Sequence, residues 1–438
     1  MKQSKVLIVF LFSVLLVFGW FTTINNIISG GKNGEYKKYI ANAEEYMERK
    51  LYQKAIEQYN LALQIKDTEQ LQSDILNAYG KRYEESKSSY DDYLEAAKNA
   101  EKLYPKTEEF VLTVEKLAVS QEDYNTAYMY LNDAINAGLK SEKVNNELLK
   151  VKYSYKLDYN AYTNVKPYSN GFFAVEYDGK WKYITTNGDK TLYEEAKFVG
   201  QVGKENIKIF ENKNEVELID EDDIVQGKIN VMPDDVRGCA DGVLPVKIDG
   251  KYSYYKLIGD KAFGNYENAS SFVNGKAAAF KNGKWFIIDE DGKRISDKEY
   301  DDIKLCYDGT YIKNNIMIAS IDGKYKMYDD NEKVIGKNEY EDIESAGNDE
   351  YIAFCEDGKW GFLDNKGKVL IRPQYESARS FSNGLAGVYN GKKWGFINLD
   401  NKLVIDYNFF DVDNFTESGT CMVETGKDNW QLLKLNVS

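Results

Sequence analysis

The chain contains no histidine at all. That absence excludes a Ser-His-Asp triad, a Cys-His nucleophile pair and any zinc centre of the His-rich catalytic kind. Cysteine is scarce. Cys239, Cys306, Cys355 and Cys421 stand far apart and form no Cys-x-x-Cys, so a zinc knuckle or dithiol redox motif has no support. Proline occurs only 5 times in 438 residues. There is no dense Lys/Arg run, and 57 basic residues against 71 acidic ones leave a net charge of −14. Such a surface repels a phosphate backbone, which argues against nucleic acid as a partner and leaves solubility as the plain role of the charge. No glycine-rich phosphate loop is present. Long apolar runs are also missing, with one exception at the N-terminus.

What remains is ample material for cores: 43% of residues are apolar and 14% aromatic, so wholesale disorder is excluded. Tyrosine is abundant, at 35. It suits half-buried β-surfaces, where the ring packs and the hydroxyl reaches water. The length allows two or three domains.

The N-terminal exception is the run Val6–Phe21 behind Lys2 and Lys5, broken only by Ser13 and Gly19. As a helix it rises about 24 Å, and Thr22 to Ile28 can complete a span of about 30 Å. Trp20 and Phe21 suit the far interface, and the lysines should stay inside. Residues 1–28 are therefore expected to be a cytoplasmic stub and single-pass anchor, with the bulk of the chain outside the cytoplasm. The alternative is a cleaved signal peptide and a secreted chain, but Ser29-Gly30-Gly31 is a poor cleavage site. Residues 29–35 read as a short flexible tether.

Residues 36–160 have almost no β-punctuation and a single proline, Pro105. Tyr52, Ala55, Ile56, Tyr59, Ala62 and Leu63 recur at helical spacing on one face. A Tyr-x-x-Ala element repeats at Tyr52/Ala55, Tyr93/Ala96 and Tyr124/Ala127. The units Leu51–Tyr59 and Asp123–Tyr128 resemble the tetratricopeptide repeat, although intervals of 41 and 31 residues depart from its usual period of about 34. The resemblance implies stacked helical hairpins with a concave groove for a partner peptide or helix. The plainer reading is a helical stalk.

Residues 161–438 are periodic in a different way. Aligning on an aromatic gives Trp181, Val216 (degenerate), Tyr252, Trp285, Tyr325, Trp360, Trp394 and Trp430, at intervals of 33 to 40 residues. The longest interval, 40, lies between Trp285 and Tyr325. A second marker runs in step: Tyr162, Tyr193, Tyr266, Tyr300, Tyr340, Tyr375 and Phe410. Each unit reads as about three short strands, such as Leu385–Tyr389, Trp394–Asn398 and 403–406, with Asn390-Gly391 as a type I′ hairpin signal. These motifs resemble the WG-containing repeat family of bacterial proteins, most clearly at Trp360-Gly361 and Trp394-Gly395; in earlier units the glycine is replaced. Single hairpins cannot bury their apolar faces, so units must stack. Two closures fit, a propeller-like ring and an open β-solenoid; about eight copies ending almost at the C-terminus favour the ring. The expected order is thus a transmembrane helix, all-α helical-hairpin repeats, and an all-β repeat array.

Candidate chemistry is thin. Asp289–Gly292 and Asp364–Gly367 look like acidic loops, but neither has the layout of a calcium loop, and Asp, Asn and Gly fill hairpin turns for backbone reasons. A glycosidase would need two convergent carboxyls, and 71 acids nominate no pair. The cysteines recur at repeat positions and read as small apolar filler. Trp181, Tyr252, Trp285, Tyr325, Trp360, Trp394 and Trp430 are expected to be structural repeat markers, with no catalytic, cofactor or metal residue assigned. The first functional reading is a membrane-anchored, extracytoplasmic protein-interaction scaffold with an unknown protein partner. The alternatives are a cell-wall glycan-binding module and, behind it, a carbohydrate-active enzyme.

Overall fold

The computed structural model describes residues 31–189 and 196–437. The expected anchor, residues 1–28, lies outside these, as does Tyr193. Among the described residues no helix is long and apolar enough to cross a membrane. The chain divides into a helical unit ending at Lys152 and a β-unit beginning at Tyr153.

The helical unit runs α1 (31–48), α2 (Tyr52–Leu63), α3 (Glu69–Glu85), α4 (Tyr90–Leu103), α5 (Glu108–Ser120), α6 (Tyr124–Asn136) and α7 (Glu142–Lys152). Residues 31–35, expected as tether, are already helical despite Gly31 and Gly34. From α2 onward each helix packs against its neighbours in sequence, the pattern of antiparallel hairpins. The Tyr-x-x-Ala elements mark the second helix of each hairpin. Ala55 and Ala127 are wholly buried where two helices close on each other. In the middle hairpin Ala97, one residue beyond Ala96, takes that position. Starts are fixed by side-chain caps: the Thr68 hydroxyl accepts the Leu71 N–H at 3.2 Å, and the Asp123 carboxylate accepts the Thr126 N–H at 3.1 Å.

Among the described residues the β-unit holds eight antiparallel sheets of three or four strands. Its sixth and seventh sheets are the most regular. The sixth runs Asp342–Ile343, Ile352–Glu356, Lys359–Leu363 and Val369–Tyr375; the seventh repeats it with Ser377–Ala378, Leu385–Tyr389, Trp394–Asn398 and Leu403–Phe409. The short first strand is absent from the three-strand sequence reading, because two residues carry no periodicity.

Register explains why two aromatic markers keep step. The marker in the third strand pairs directly with the marker in the fourth: Tyr252 with Tyr266, Trp285 with Tyr300, Tyr325 with Tyr340, Trp360 with Tyr375, and Trp394 with Phe409. Aromatic cross-strand pairs of this kind stabilise a sheet. The seventh marker is therefore Phe409, which is buried at 2% exposure, and not Phe410, which is 50% exposed.

The helical reading ran too far, to residue 160. Tyr155–Tyr162 is a strand, and it pairs antiparallel with Asn429–Leu435, with Tyr162 opposite Trp430. The eighth sheet thus takes its outer strand from the start of the β-unit. Tyr162 then packs with Met422 and Leu432 of that sheet and with Phe173, Val175 and Ile184 of the first. The ends of the array meet, and the array is an eight-bladed β-propeller. The open solenoid is excluded.

In five blades the hairpin between the second and third strands turns on Asp-Gly or Asn-Gly with positive φ at both residues, as at Asp249-Gly250 and Asp357-Gly358, which is the type I′ signature; blade two uses Lys213-Asn214 instead. The Asn390-Gly391 turn differs. One extra lysine makes it a longer loop, closed by Asn390 N–H to Lys393 O at 3.1 Å, with only Gly391 at positive φ.

Candidate functional site

The acidic loops are turns. The Asp289 carboxylate accepts the N–H groups of Asp291 and Lys293 at 3.1 and 2.8 Å, and Asp364 does the same for Lys366 and Lys368, both at 2.9 Å. Asp220, Asp329 and Asn398 repeat the arrangement in other blades. The acceptor oxygen is used by the backbone.

The repeat markers are built into the blades. Tyr252 and Trp285 are 4% exposed and Trp394 9%, while Trp181, Tyr325, Trp360 and Trp430 are half-buried. On alternate blades the marker ring carries a cation. Lys166 lies 5.5 Å from the Trp181 centroid, Arg237 4.7 Å from Tyr252, Lys304 4.9 Å from Tyr325, and Arg379 5.1 Å from Trp394. Arg237, Lys304 and Arg379 directly follow the short first strand of blades three, five and seven, and Lys166 lies within the longer first strand of blade one, Asn164–Ser169. Gln201, Ser270, Glu344 and Asp413 hold the equivalent positions in blades two, four, six and eight. Sequence reading missed this set; the only available signal was a residue of changing charge after a short apolar pair, as in Ile303-Lys304 and Val412-Asp413.

The basic members are engaged sideways. Arg237 donates to Asn268 at 2.8 Å, Lys304 pairs with Asp342 at 3.1 Å, and Arg379 pairs with Asp411 at 3.0 Å, in each case a residue of the next blade. Burial pushes the Lys166 ammonium below its usual range, partly offset by Asp235 at 3.8 Å.

Beyond these positions, residues of all eight blades line one cavity of about 500 Å³ at the propeller axis, among them Ser169, Val202, Gly238, Ser271, Tyr307, Ala346, Ser382 and Asp413. Blade five departs from the others here. In blades four and seven 6 residues separate the axial position from the turn bridge, Ser270 to Lys276 and Arg379 to Leu385; in blade five 12 separate Lys304 from Ile316. This accounts for the 40-residue marker interval. The insertion forms a turn of its own, Gly309 N–H to Cys306 O at 2.9 Å, before the usual one, Ile316 N–H to Lys313 O at 2.9 Å.

That extra turn crosses the axis. Ser271 of blade four donates its N–H to Gly309 O at 2.8 Å. Gln201 of blade two donates to Tyr307 O at 3.1 Å, and Arg379 of blade seven donates to the Tyr307 hydroxyl at 3.3 Å. Gly309 leaves room for the Gln201 Oε1 and the Arg237 stem. The insertion is a plug in the sense that it lies across the axis, bonded to blades two, four and seven, and supplies Tyr307, Asp308 and Thr310 to the cavity lining. Gln201 Oε1 is buried with no donor among the described residues.

At the floor, burial raises the Asp413 carboxyl to about 6, against the pull of Arg379 and the Asn414 N–H, with Asp411 pushing the same way as burial. Burial also raises Glu344, opposed by Arg379 and Lys304. An unfolded aspartate titrates near about 4. Between about 4 and 6 the folded chain therefore keeps a proton that the unfolded chain has lost, so stability falls as pH rises through that window and is lowest above it. Asp413→Asn keeps the shape and removes the charge. It is expected to raise the melting temperature of the β-unit at neutral pH, by at most about 3 kcal/mol equivalent. The gain should vanish at acidic pH; equal gains at both would refute the buried-charge account. The four cysteines are buried and free, Cys306 within the plug.

The helical unit has its own concavity of about 510 Å³, formed by α3 and α5 with flanking residues of α4 and α7. Tyr83, Tyr93 and Leu112 give it apolar surface, and Glu84, Glu109, Lys87 and Lys116 surround them. Tyr83 and Tyr93 pack at 6.0 Å, and Lys87 sits 3.8 Å over the Tyr83 ring.

Fold and sites together define a repeat protein: tetratricopeptide-like hairpins followed by an eight-bladed propeller. Four segments match the family model described as WG containing repeat, residues 161–181, 264–285, 360–394 and 394–430. No curated protein matches the chain. Among solved structures, the Sgt2 TPR domain from Aspergillus fumigatus is 23% identical, over 27% of this chain and 77% of that one, with a TM-score of 0.22. The Cps50 (Swd1) β-propeller domain of Myceliophteria thermophila is 7% identical, over 64% of this chain and 99% of that one, at 0.35. The Pan2 WD40 domain of Neurospora crassa is 12% identical, over 62% and 88%, at 0.34. The strand pairing described above, rather than these likenesses, defines the blades.

Proposed function

We propose that the protein is a membrane-anchored, extracytoplasmic scaffold without enzymatic activity, which holds a partner protein on its helical repeats. The α3–α5 groove carries this reading. It is concave, presents the Tyr83, Tyr93 and Leu112 side chains, and is bordered by charges of both signs, the surface that a peptide or helix with an apolar face requires. The apolar run Val6–Phe21 behind Lys2 and Lys5 supports the anchor. A cell-wall glycan module would need exposed rings as platforms. The marker rings are paired across strands or covered by cations, which favours the scaffold.

A photo-crosslinking residue placed at Tyr83, Leu112 or Lys116 of the full chain in cells is expected to give adducts of discrete mass. The same residue at Met129, exposed on α6, should give none. Equal patterns at all four positions, or no adduct from the groove, would end the groove reading. Co-sedimentation of the chain with isolated wall sacculi would promote the glycan module in its place.

A further inference from the structure

We propose that the plugged axial pocket of the propeller is a binding site for a small organic cation, whose ammonium group is received by Asp413. Repetition elsewhere in the β-unit serves the blades. The pocket is where repetition breaks: one blade contributes a six-residue insertion, 12 residues where its counterparts have 6. That insertion crosses the axis and contributes Tyr307, Asp308 and Thr310 to the lining. A volume of about 500 Å³ is in the range of small-molecule sites.

The lining selects the charge of the occupant. Six ionisable carboxylates and amines face the pocket: Lys204, Asp241, Asp308, Lys313, Asp413 and Glu417. Asp241 is occupied by the Gly275 N–H at 2.9 Å. Asp308 accepts the Thr310 hydroxyl at 2.6 Å and pairs with Lys313 at 3.5 Å. Lys204 and Glu417 are exposed at the rim. This leaves Asp413 as the charge at depth. The basic residue nearest to it, Arg379, is already held by Asp411, the Val412 carbonyl and Tyr307. Tyr168 and Tyr307, both half-buried, add ring surface to the same pocket. A buried carboxylate in a pocket that also presents aromatic rings is the chemistry that receives an ammonium ion. A net charge of −14 adds long-range attraction for cations.

The groups facing Asp413 are Arg379, Asp411 and the Asn414 N–H, with Cys421 also close. Because burial raises its carboxyl to about 6, cation binding should weaken as pH falls through that value.

The test is calorimetric titration of the full chain with putrescine and with tetramethylammonium, using 1,4-butanediol as the neutral control, at mildly alkaline pH. Saturable binding of at least one cation and none of the diol is expected. Asp413→Asn should weaken it about tenfold or more while the protein melts no lower than wild type. Glu356→Gln, which removes an exposed carboxylate outside the pocket, should leave it unchanged. Absence of saturable binding by either cation, or equal losses in the two variants, would overturn the assignment. Neither outcome bears on the helical groove.

Discussion

Replacing residues 155–162 by a flexible linker of the same length is expected to abolish cooperative unfolding of the β-unit. These eight residues are the outer strand of the last blade, supplied by the first stretch of the β-unit. Without them Asn429–Leu435 becomes an open edge, and the contact of the last blade with the first loses Tyr162. Tyr162→Ala separates the two effects. The strand pairing is retained, and the loss of a buried aromatic, 4% exposed, should cost about 3–5 kcal/mol. That corresponds to a fall of roughly 10 °C in melting temperature. Tyr159→Ala lies in the same strand at 98% exposure and should fall within about 0.5 kcal/mol of wild type. Thermal unfolding followed by circular dichroism reads all three. A β-unit that melts unchanged without residues 155–162 would mean that the ring is not closed by this strand.

The second large effect concerns the glycine after the marker tryptophan. At Gly361 a Cβ would lie 2.5 Å from Ile371 O and 2.6 Å from Pro373 N; at Gly395 it would lie 2.7 Å from Ile405 O. All of these are backbone atoms of the neighbouring outer strand, so no rotamer change relieves the contact. A register shift between Trp360 and Phe362 bends that strand toward the glycine, and the seventh blade repeats the shift between Trp394 and Phe396. Neither glycine has positive φ, so the cost of Gly→Ala is steric and not conformational. Each substitution is expected to destabilise by about 1–3 kcal/mol or more, and the pair to add because the two sit in different blades. Chemical denaturation would measure both. Gly358→Ala, with open space and φ +69°, should show only the smaller cost of a left-handed residue. Blade three, which has Tyr252-Ser253 in place of the Trp-Gly pair, meets the same close approach differently. In blade three the inner position is Ser253, whose hydroxyl donates to Gly264 O at 3.0 Å, and the glycine has moved to the outer strand.

The repeats were legible because their signals are local and doubled. Markers that pair across adjacent strands must keep one period, and the eight markers from Trp181 to Trp430 record eight blades. The helical hairpins were legible for the same reason, through buried alanines at Ala55 and Ala127. What was not legible depends on contacts between distant residues. Tyr162 looks like the first marker of the array, but its partner is Trp430 at the other end. Phe409 and Phe410 differ only in which face of the sheet they meet, and a shift of one residue exchanges them. The axial residues were missed because Lys166, Arg237, Lys304 and Arg379 look like ordinary surface charges until the ring places them over aromatic faces. The insertion in blade five was visible as a long interval, but its course across the axis to Gln201 and Arg379 was not.

The measurement that bears most directly on a closed ring around a plugged axis is native-state hydrogen exchange of the full chain. The closed ring predicts that amides in Tyr155–Tyr162 paired to the last strand exchange as slowly as those of Asn429–Leu435, and that the Ser271 amide, bonded to Gly309 in the plug, is protected with them. Fast exchange in residues 155–162 beside a protected 429–435 would contradict it.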